Sequence, residues 1–219
     1  MTISIKILES TNIIRRKILE SIVEDMNKLF SQSLKSIDNK LKSLTREFIK
    51  STITYASLDG GVLAAHFGLP QGGEKARIDS IISTINNNIE VKFDGFKRAG
   101  NSISGGVNIG ILLSSFADIL NLPEAVVTTE RGQQLPWLQW LLLEGNRIII
   151  TDYEIRLKVG KGRSGGGIMV REEAGIWRVP PEYAGTDVNN WLTNSLSSNI
   201  TQYQSRITKF LETEANRIF

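Results

Sequence analysis

The feature that most constrains this chain is an apolar stripe near its start. Ile14, Ile18, Ile22, Met26, Phe30, Leu34, Ile37, Leu41, Leu44 and Phe48 follow one another at steps of three or four residues. That spacing lines one side of an α-helix. No proline or glycine falls within residues 9–58, so nothing local stops the helix before "LDGG" at 58–61. "STN" at 10–12 offers capping groups at its beginning. A helix of about 40 residues is about 60 Å long, well beyond the usual length in a globular domain. Such a rod needs something to lie against, either its own chain or a neighbouring subunit. Its last part, Leu34 to Phe48, alternates steps of three and four as a coiled-coil seam does. A run this short reads first as core packing.

The rest of the chain changes texture twice. "GVLAAHFGLP" is a short helical piece followed by a glycine-rich turn, and "ARIDSIISTINNNI" at 76–89 is a second amphipathic helix with Ile78, Ile81, Ile82 and Ile85 on one side. Near residue 89 the period drops to two. "IEVKFDGF", "ISGGVNIGILLSSF" at 103–116 and "NRIIITDYEIRLKVG" read as strands, and "GGIMV" and "GIWRVP" as two more short ones. "FADILNL" is a helical turn, and "LPWLQWLLLEG" at 135–145 an inserted helix that Gly145 ends. From "NNWLTNSL" onward the pattern is helical, with a break near Ser197–Ser198. Helices, then strands with an inserted helix, then helices make an α+β fold. The expected architecture is a long N-terminal helix, a central and mostly antiparallel β-sheet or sandwich, and C-terminal helices. Residues 1–58 form a long-helix arm and 59–219 one compact core domain.

Composition removes several classes of function. The 219 residues include no cysteine and a single histidine, His66. Thiolate metal sites, disulfides and cysteine nucleophiles are therefore excluded, and a site needing two imidazoles as well. The formal charge of +3 is spread along the chain, and the densest basic piece is "IIRRK" at 13–17. A solvated helix face explains that piece better than a nucleic-acid stripe does. No apolar run approaches the length that spans a bilayer; "WLLL" at 140–143 is the longest. "MTISIKILES" does not read as a signal peptide, so the product is expected in the cytoplasm when made.

"GKGRSGGGIMV" at 160–170 is the one stretch that suggests a phosphate cradle. Gly160, Gly162 and Gly165 match a dinucleotide pattern, but no βαβ context surrounds them. Lys161 is followed by Gly162 rather than Ser or Thr, and "IMV" continues as a strand, so no helix N-terminus faces a phosphate. A mobile loop between two strands is the better reading. His66, in "AAHFG", reads as a core or interface histidine. The acidic pairs Glu24–Asp25, Glu172–Glu173 and Glu212/Glu214 read as solvated faces or, for Glu172–Glu173, a hairpin tip. Asp152 and Glu154, with Arg147 and Arg156 near, read as surface charge pairs. Trp137 and Trp140, three apart, share one helix face, and Trp177 and Trp191 flank "RVPPEYAGT". Aromatic anchors of this kind build cores or interfaces. Trp137, Trp140, Trp177 and Pro180–Pro181 are expected to form the core of the β region. No catalytic, cofactor-binding or metal-binding residue is expected.

"LPWLQWLLLEGNRIIITDYEIRL", "GRSGGGIM" and "WRVPPEYAGTDVNNWLTNSL" together resemble the neck or tail-completion structural proteins of contractile-tailed, cyanophage-like bacteriophages. "GGVLAAHFGLP", "RIDSIISTINNNIEV" and "SSFADILNLPEA" extend the resemblance to most of the chain from residue 58 on. It implies a virion protein with no enzymatic activity and no cofactor, assembled in the host cytoplasm. It implies a homo-oligomeric ring of roughly six or twelve copies, seated between the head connector and the tail terminator, tube or sheath, with viral DNA passing through the lumen and no membrane contact. A tail terminator or a minor capsid protein is the alternative, and a nucleotide-binding accessory enzyme the least favoured. Interface residues are then sought in the loop Gly160, Lys161, Gly162, Arg163, Ser164, Gly165, Gly166 and Gly167, and at Trp177, Pro180, Pro181 and Trp191.

Overall fold

A computed structural model describes residues 9–111, 116–159 and 162–216. The fold is α+β, with a long N-terminal helix, antiparallel strand pairs and C-terminal helices, as the sequence pattern implies. Helix α1 runs from Thr11 to Lys50. The short helices α2 (Ile53–Leu58) and α3 (Val62–Phe67) follow, then α4 (Glu74–Asn87). Strands β1 (Ile89–Ala99) and β2 (Ser102–Ile111) form one ribbon. After α5 (Ala117–Leu120) and a 3₁₀ turn at Pro123–Ala125, β3 (Val127–Thr128) pairs with β4 (Gln134–Leu135). Helix α6 (Trp137–Leu142) precedes the ribbon of β5 (Ile150–Leu157) and β6 (Gly167–Trp177), and α7 (Trp191–Ser197) and α8 (Ile200–Ala215) complete the order. Among the described residues the strands make three two-stranded ribbons rather than one continuous sheet.

Three details differ from the sequence expectation. The first helix stops at Lys50, not at the glycines. The Ser51 and Thr52 hydroxyls donate to the Phe48 and Ile49 carbonyls at 2.8 Å each, and Thr52 Oγ1 accepts the Tyr55 amide at 3.1 Å. Side-chain hydroxyls thus take over the local hydrogen bonding and restart the helix as α2. Second, "GGIMV" and "GIWRVP" belong to a single strand. Thr151 pairs with Ile176 and the next register pair is Tyr153 with Arg171, so residues 172–175 bulge within β6. Asp152 and Ala174 both take φ 60° there. Glu172 is therefore not at a hairpin tip; it lies in the bulge, and its carboxylate meets the Arg156 guanidinium at 2.8 Å. Third, Pro180 is half-buried and Pro181 exposed, while Val179 takes the core position beside them.

The chain condenses into two units, and their division differs from a boundary at residue 58. One unit comprises the residues up to Leu41, Ile89–Gly110 and the residues from Arg206 on; the other comprises Lys42–Asn88 and Ile111–Ser205. In the first unit, Phe30 of α1 stacks on Phe93 of β1 at 5.8 Å and meets Phe96 edge-on at 4.9 Å. Asn27 bonds the Phe96 backbone both ways, accepting its amide at 2.6 Å and donating to its carbonyl at 3.0 Å. A side-chain amide here imitates a neighbouring strand and ties α1 to the ribbon of its own chain.

The second unit holds the main core. Trp137 touches Phe67 at 5.6 Å, and Trp177 meets Phe67 at 6.5 Å and Trp140 at 5.4 Å. All four are buried, together with Leu58, Leu63, Ile78, Ile81, Ile82, Ile85, Leu141 and Leu142. Tyr203 packs edge-on against Phe48 and its hydroxyl bonds Thr45 at 2.8 Å; burial pushes its pKa up to about 12. Lys50 reaches Asp79 at 2.5 Å and lies over the Tyr55 ring, and the Asp79 carboxylate holds the lysine pKa above its ordinary value.

A close backbone approach joins the end of α6 to the segment after β6. A side chain at Gly145 would run into the backbone of Ala184 and Gly185, and one at Gly185 would meet Leu141 O and Asn190 Cβ at 2.7 Å. The Gly145 amide donates to the Gly185 carbonyl at 3.2 Å. Backbone on both sides leaves nothing that can yield. Gly145→Ala and Gly185→Ala are each expected to destabilise the fold by about 2 kcal/mol or more, read as a lower midpoint in urea unfolding. Gly106→Ala serves as a control, with no neighbour in reach and no left-handed φ.

Candidate functional site

The described part of the glycine loop is folded onto its own domain. Arg163 extends from it to donate to the Gly68 carbonyl through Nε at 2.7 Å and to the Thr128 carbonyl through a terminal nitrogen at 2.8 Å. The Gln71 amide donates back to the Arg163 carbonyl at 3.4 Å. Ser164 is buried, Gly165 abuts the Gln71 amide, and Gly166 lies against Ala65. The loop closes on itself through the Gly165 amide to the Gly162 carbonyl at 2.9 Å, and meets β5 through the Lys158 amide to the Gly166 carbonyl at 2.8 Å. Glycine is required where the loop presses on neighbours: a Cβ on Gly162 would run into the Gly167 carbonyl. Gly160 and Lys161 lie outside the described residues.

This arrangement does not make a phosphate cradle. The strand β6 begins at Gly167 directly after the loop, so the expectation of a loop between strands holds and no helix dipole is offered to an anion. The guanidinium that would contact a phosphate is engaged with two carbonyls. A neighbouring guanidinium acts similarly: Arg77 donates from one nitrogen to Glu124 at 2.8 Å and Val126 at 2.9 Å, and burial lowers its pKa. Trp137 adds a bond from Nε1 to Glu124 O at 2.8 Å. Arg77, Arg163 and Trp137 thus hold the 124–128 segment by its carbonyl oxygens.

Of the other interface candidates, Trp177 and Trp191 are buried, at 4% and 6% exposure. Both pack in the core, and Trp191 also lines the groove that opens beside it. Pro181 is exposed beside them, and Glu182 and Tyr183 open into a groove of about 250 Å³ that the sequence did not indicate. Its walls are the start of α2, residues 182–184 and α7, and they carry Asn189, Asn190, Asn194 and Asn199. These amides are largely tied to one another and to the backbone. Asn190 caps α7 through its Oδ1 and Thr193 returns the bond, Asn194 donates to Asn189 at 2.8 Å, and Asn199 donates to Ser195 O at 2.7 Å. Glu182 is the one charged side chain in the lining. Hydrogen-bonding surface is present, but no paired acid and base and no base-activated nucleophile accompany it.

His66 is half-buried on α3, and its Nδ1 has no hydrogen-bond partner among the described residues. Burial lowers its pKa, opposed by the Glu182 charge. Arg156 bridges Glu154 at 2.6 Å and Glu172 at 2.8 Å as a surface charge pair, whereas Arg147 meets Glu144 at 2.7 Å rather than Asp152 or Glu154. Among the described residues no group of three His, Cys, Asp or Glu side chains can hold a metal, and no described helix is long and apolar enough to cross a membrane. Comparison with protein-family models, curated proteins and solved structures finds no match.

Two outcomes follow from this geometry. Arg163→Ala removes two charge-assisted bonds from an exposed side chain and is expected to cost about 1 kcal/mol, with faster amide exchange at Gln71 and Gly165. His66 gives a pH effect of definite sign. Its folded pKa lies below the ordinary 6.5, so the unfolded chain binds the extra proton first as pH falls. The stabilisation is complete above about pH 6.5 and is lost progressively below it. Because His66 is the only histidine, His66→Gln is expected to flatten the fall in melting temperature between about pH 7.5 and 5.5.

Proposed function

We propose that this chain is a structural protein of a tailed-phage virion, a ring-forming neck or tail-completion subunit that joins the DNA-filled head connector to the tail. The observation that carries this reading is the use made of the segments that bear the family resemblance. "LPWLQWLLLEG" supplies Trp137 and Trp140 to the aromatic core, "GRSGGGIM" supplies the Arg163 clamp, and "WRVPPEYAGT" supplies Trp177, Val179 and the Gly185 contact with Gly145. These side chains hold a scaffold together, and none of them is arranged for bond making or breaking. A subunit of this kind works through its surfaces. The three ribbons, each only two strands wide among the described residues, leave backbone groups along their outer edges that can pair across subunits. Different faces of one copy meet its two ring neighbours, the connector and the tail, and contacts of that heterologous kind close into a ring when the rotation allows.

Interrupting the gene in the parent phage and imaging the lysate by negative stain tests the proposal. DNA-filled heads lying apart from finished tails are expected. Tails of irregular length would assign the protein to tail termination instead, and normal infectious particles would overturn the neck reading.

A further inference from the structure

Part of α1 lies bare. Ile18 and Ile22, one turn apart, are 54% and 41% exposed, and Ile13 is 38% exposed. Farther along, the same helix buries Leu29, Ile37, Leu41 and Leu44. The apolar stripe therefore continues beyond its cover, and two large aliphatic side chains at i and i+4 mark an unpartnered face. The charges along this stretch are polarised, with Arg15, Arg16 and Lys17 before the isoleucines and Glu24 and Asp25 after them. Arg16 and Arg98 both approach Glu20, at 3.9 and 3.6 Å, and Lys17 pairs with Glu9. Arg15, Glu24 and Asp25 have no ion-pair partner among the described residues.

We propose that this face is covered by the same stretch of a second copy, packed antiparallel, so that the chain forms a two-fold dimer. The stretch is symmetric about Glu20. With the two copies centred there, Ile18 of one is level with Ile22 of the other, Ile14 with Met26 and Arg15 with Asp25. A parallel pair would instead set Arg15 beside Arg15 and Asp25 beside Asp25. Only the antiparallel arrangement joins the isoleucines and opposes unlike charges at both ends. Such a contact is isologous: it closes on itself and stops at two copies. In a ring subunit it would be the form held before docking, with the apolar face kept from open-ended association. The inference rests on α1 alone and does not need the phage reading.

Light scattering and sedimentation of the full chain up to about 100 µM test it. The native protein is expected at twice the monomer mass. Ile18→Glu/Ile22→Glu, at exposed positions, is expected to run as a monomer with unchanged circular dichroism. Arg15→Glu is expected to weaken the dimer severalfold, and adding Asp25→Arg to restore it, which a parallel contact would not do. A native monomer throughout, a dimer indifferent to the isoleucine variant, a larger assembly that this variant disperses, or no rescue by the charge swap would each overturn the proposal. If the dimer stands and the interrupted phage is normal, only the neck assignment fails.

Discussion

The constraint on which the structure depends is the demand of a 40-residue helix for cover. A rod of that length exposes an apolar stripe that no single small core can bury, and the chain meets it in portions. In one unit the ribbon β1–β2 takes Phe30 into a cluster with Phe93 and Phe96, and the Asn27 amide locks the register. In the other, Phe48 and Ile49 enter the environment of Tyr203 and of the main core. The contributions differ in kind. Aromatic and aliphatic burial supplies most of the free energy, whereas Asn27, Arg77 and Arg163 contribute direction by satisfying backbone groups that would otherwise be stranded. The N-terminal turns of α1 receive the least cover, and Ile18 and Ile22 show it.

The same division explains why the glycine-rich loop resembles a ligand site without being arranged as one. Glycines at 162, 165, 166 and 167 lie where backbone or side chains of the same domain approach closely. Arginine is there because a planar fork can reach two carbonyls at once. A phosphate would need those donors free and a helix N-terminus behind them. The chain gives this position a strand and gives the donors to Gly68 and Thr128. Close packing and phosphate binding draw on the same residue types, so composition alone does not separate them.

Features governed by periodicity were legible in the sequence. The stripe from Ile14 to Phe48 announced α1, the isoleucines of 78–85 announced α4, and the β-branched run at 148–157 announced β5. Features governed by local competition or by distant partners were not. The end of α1 depends on Ser51 and Thr52 hydroxyls turning back on the helix, with no glycine or proline to mark it. The continuity of β6 was hidden because Glu172–Gly175 resembles a turn and is in fact a bulge. Arg163 finds its acceptors 95 and 35 residues away, a pairing that no spacing encodes. The groove at Glu182 and Tyr183 likewise exists only once α2, α7 and the segment after β6 come together.

The central proposal is that this chain acts by assembly, as a building part of the joint between a phage head and its tail. The most direct measurement is a cryo-EM reconstruction of the parent phage at the head–tail junction. The account requires a closed ring there whose subunit density accepts the 40-residue helix α1 and the β5–β6 ribbon. A junction fully accounted for by other chains, with no density anywhere in the particle that accepts this fold, would contradict it.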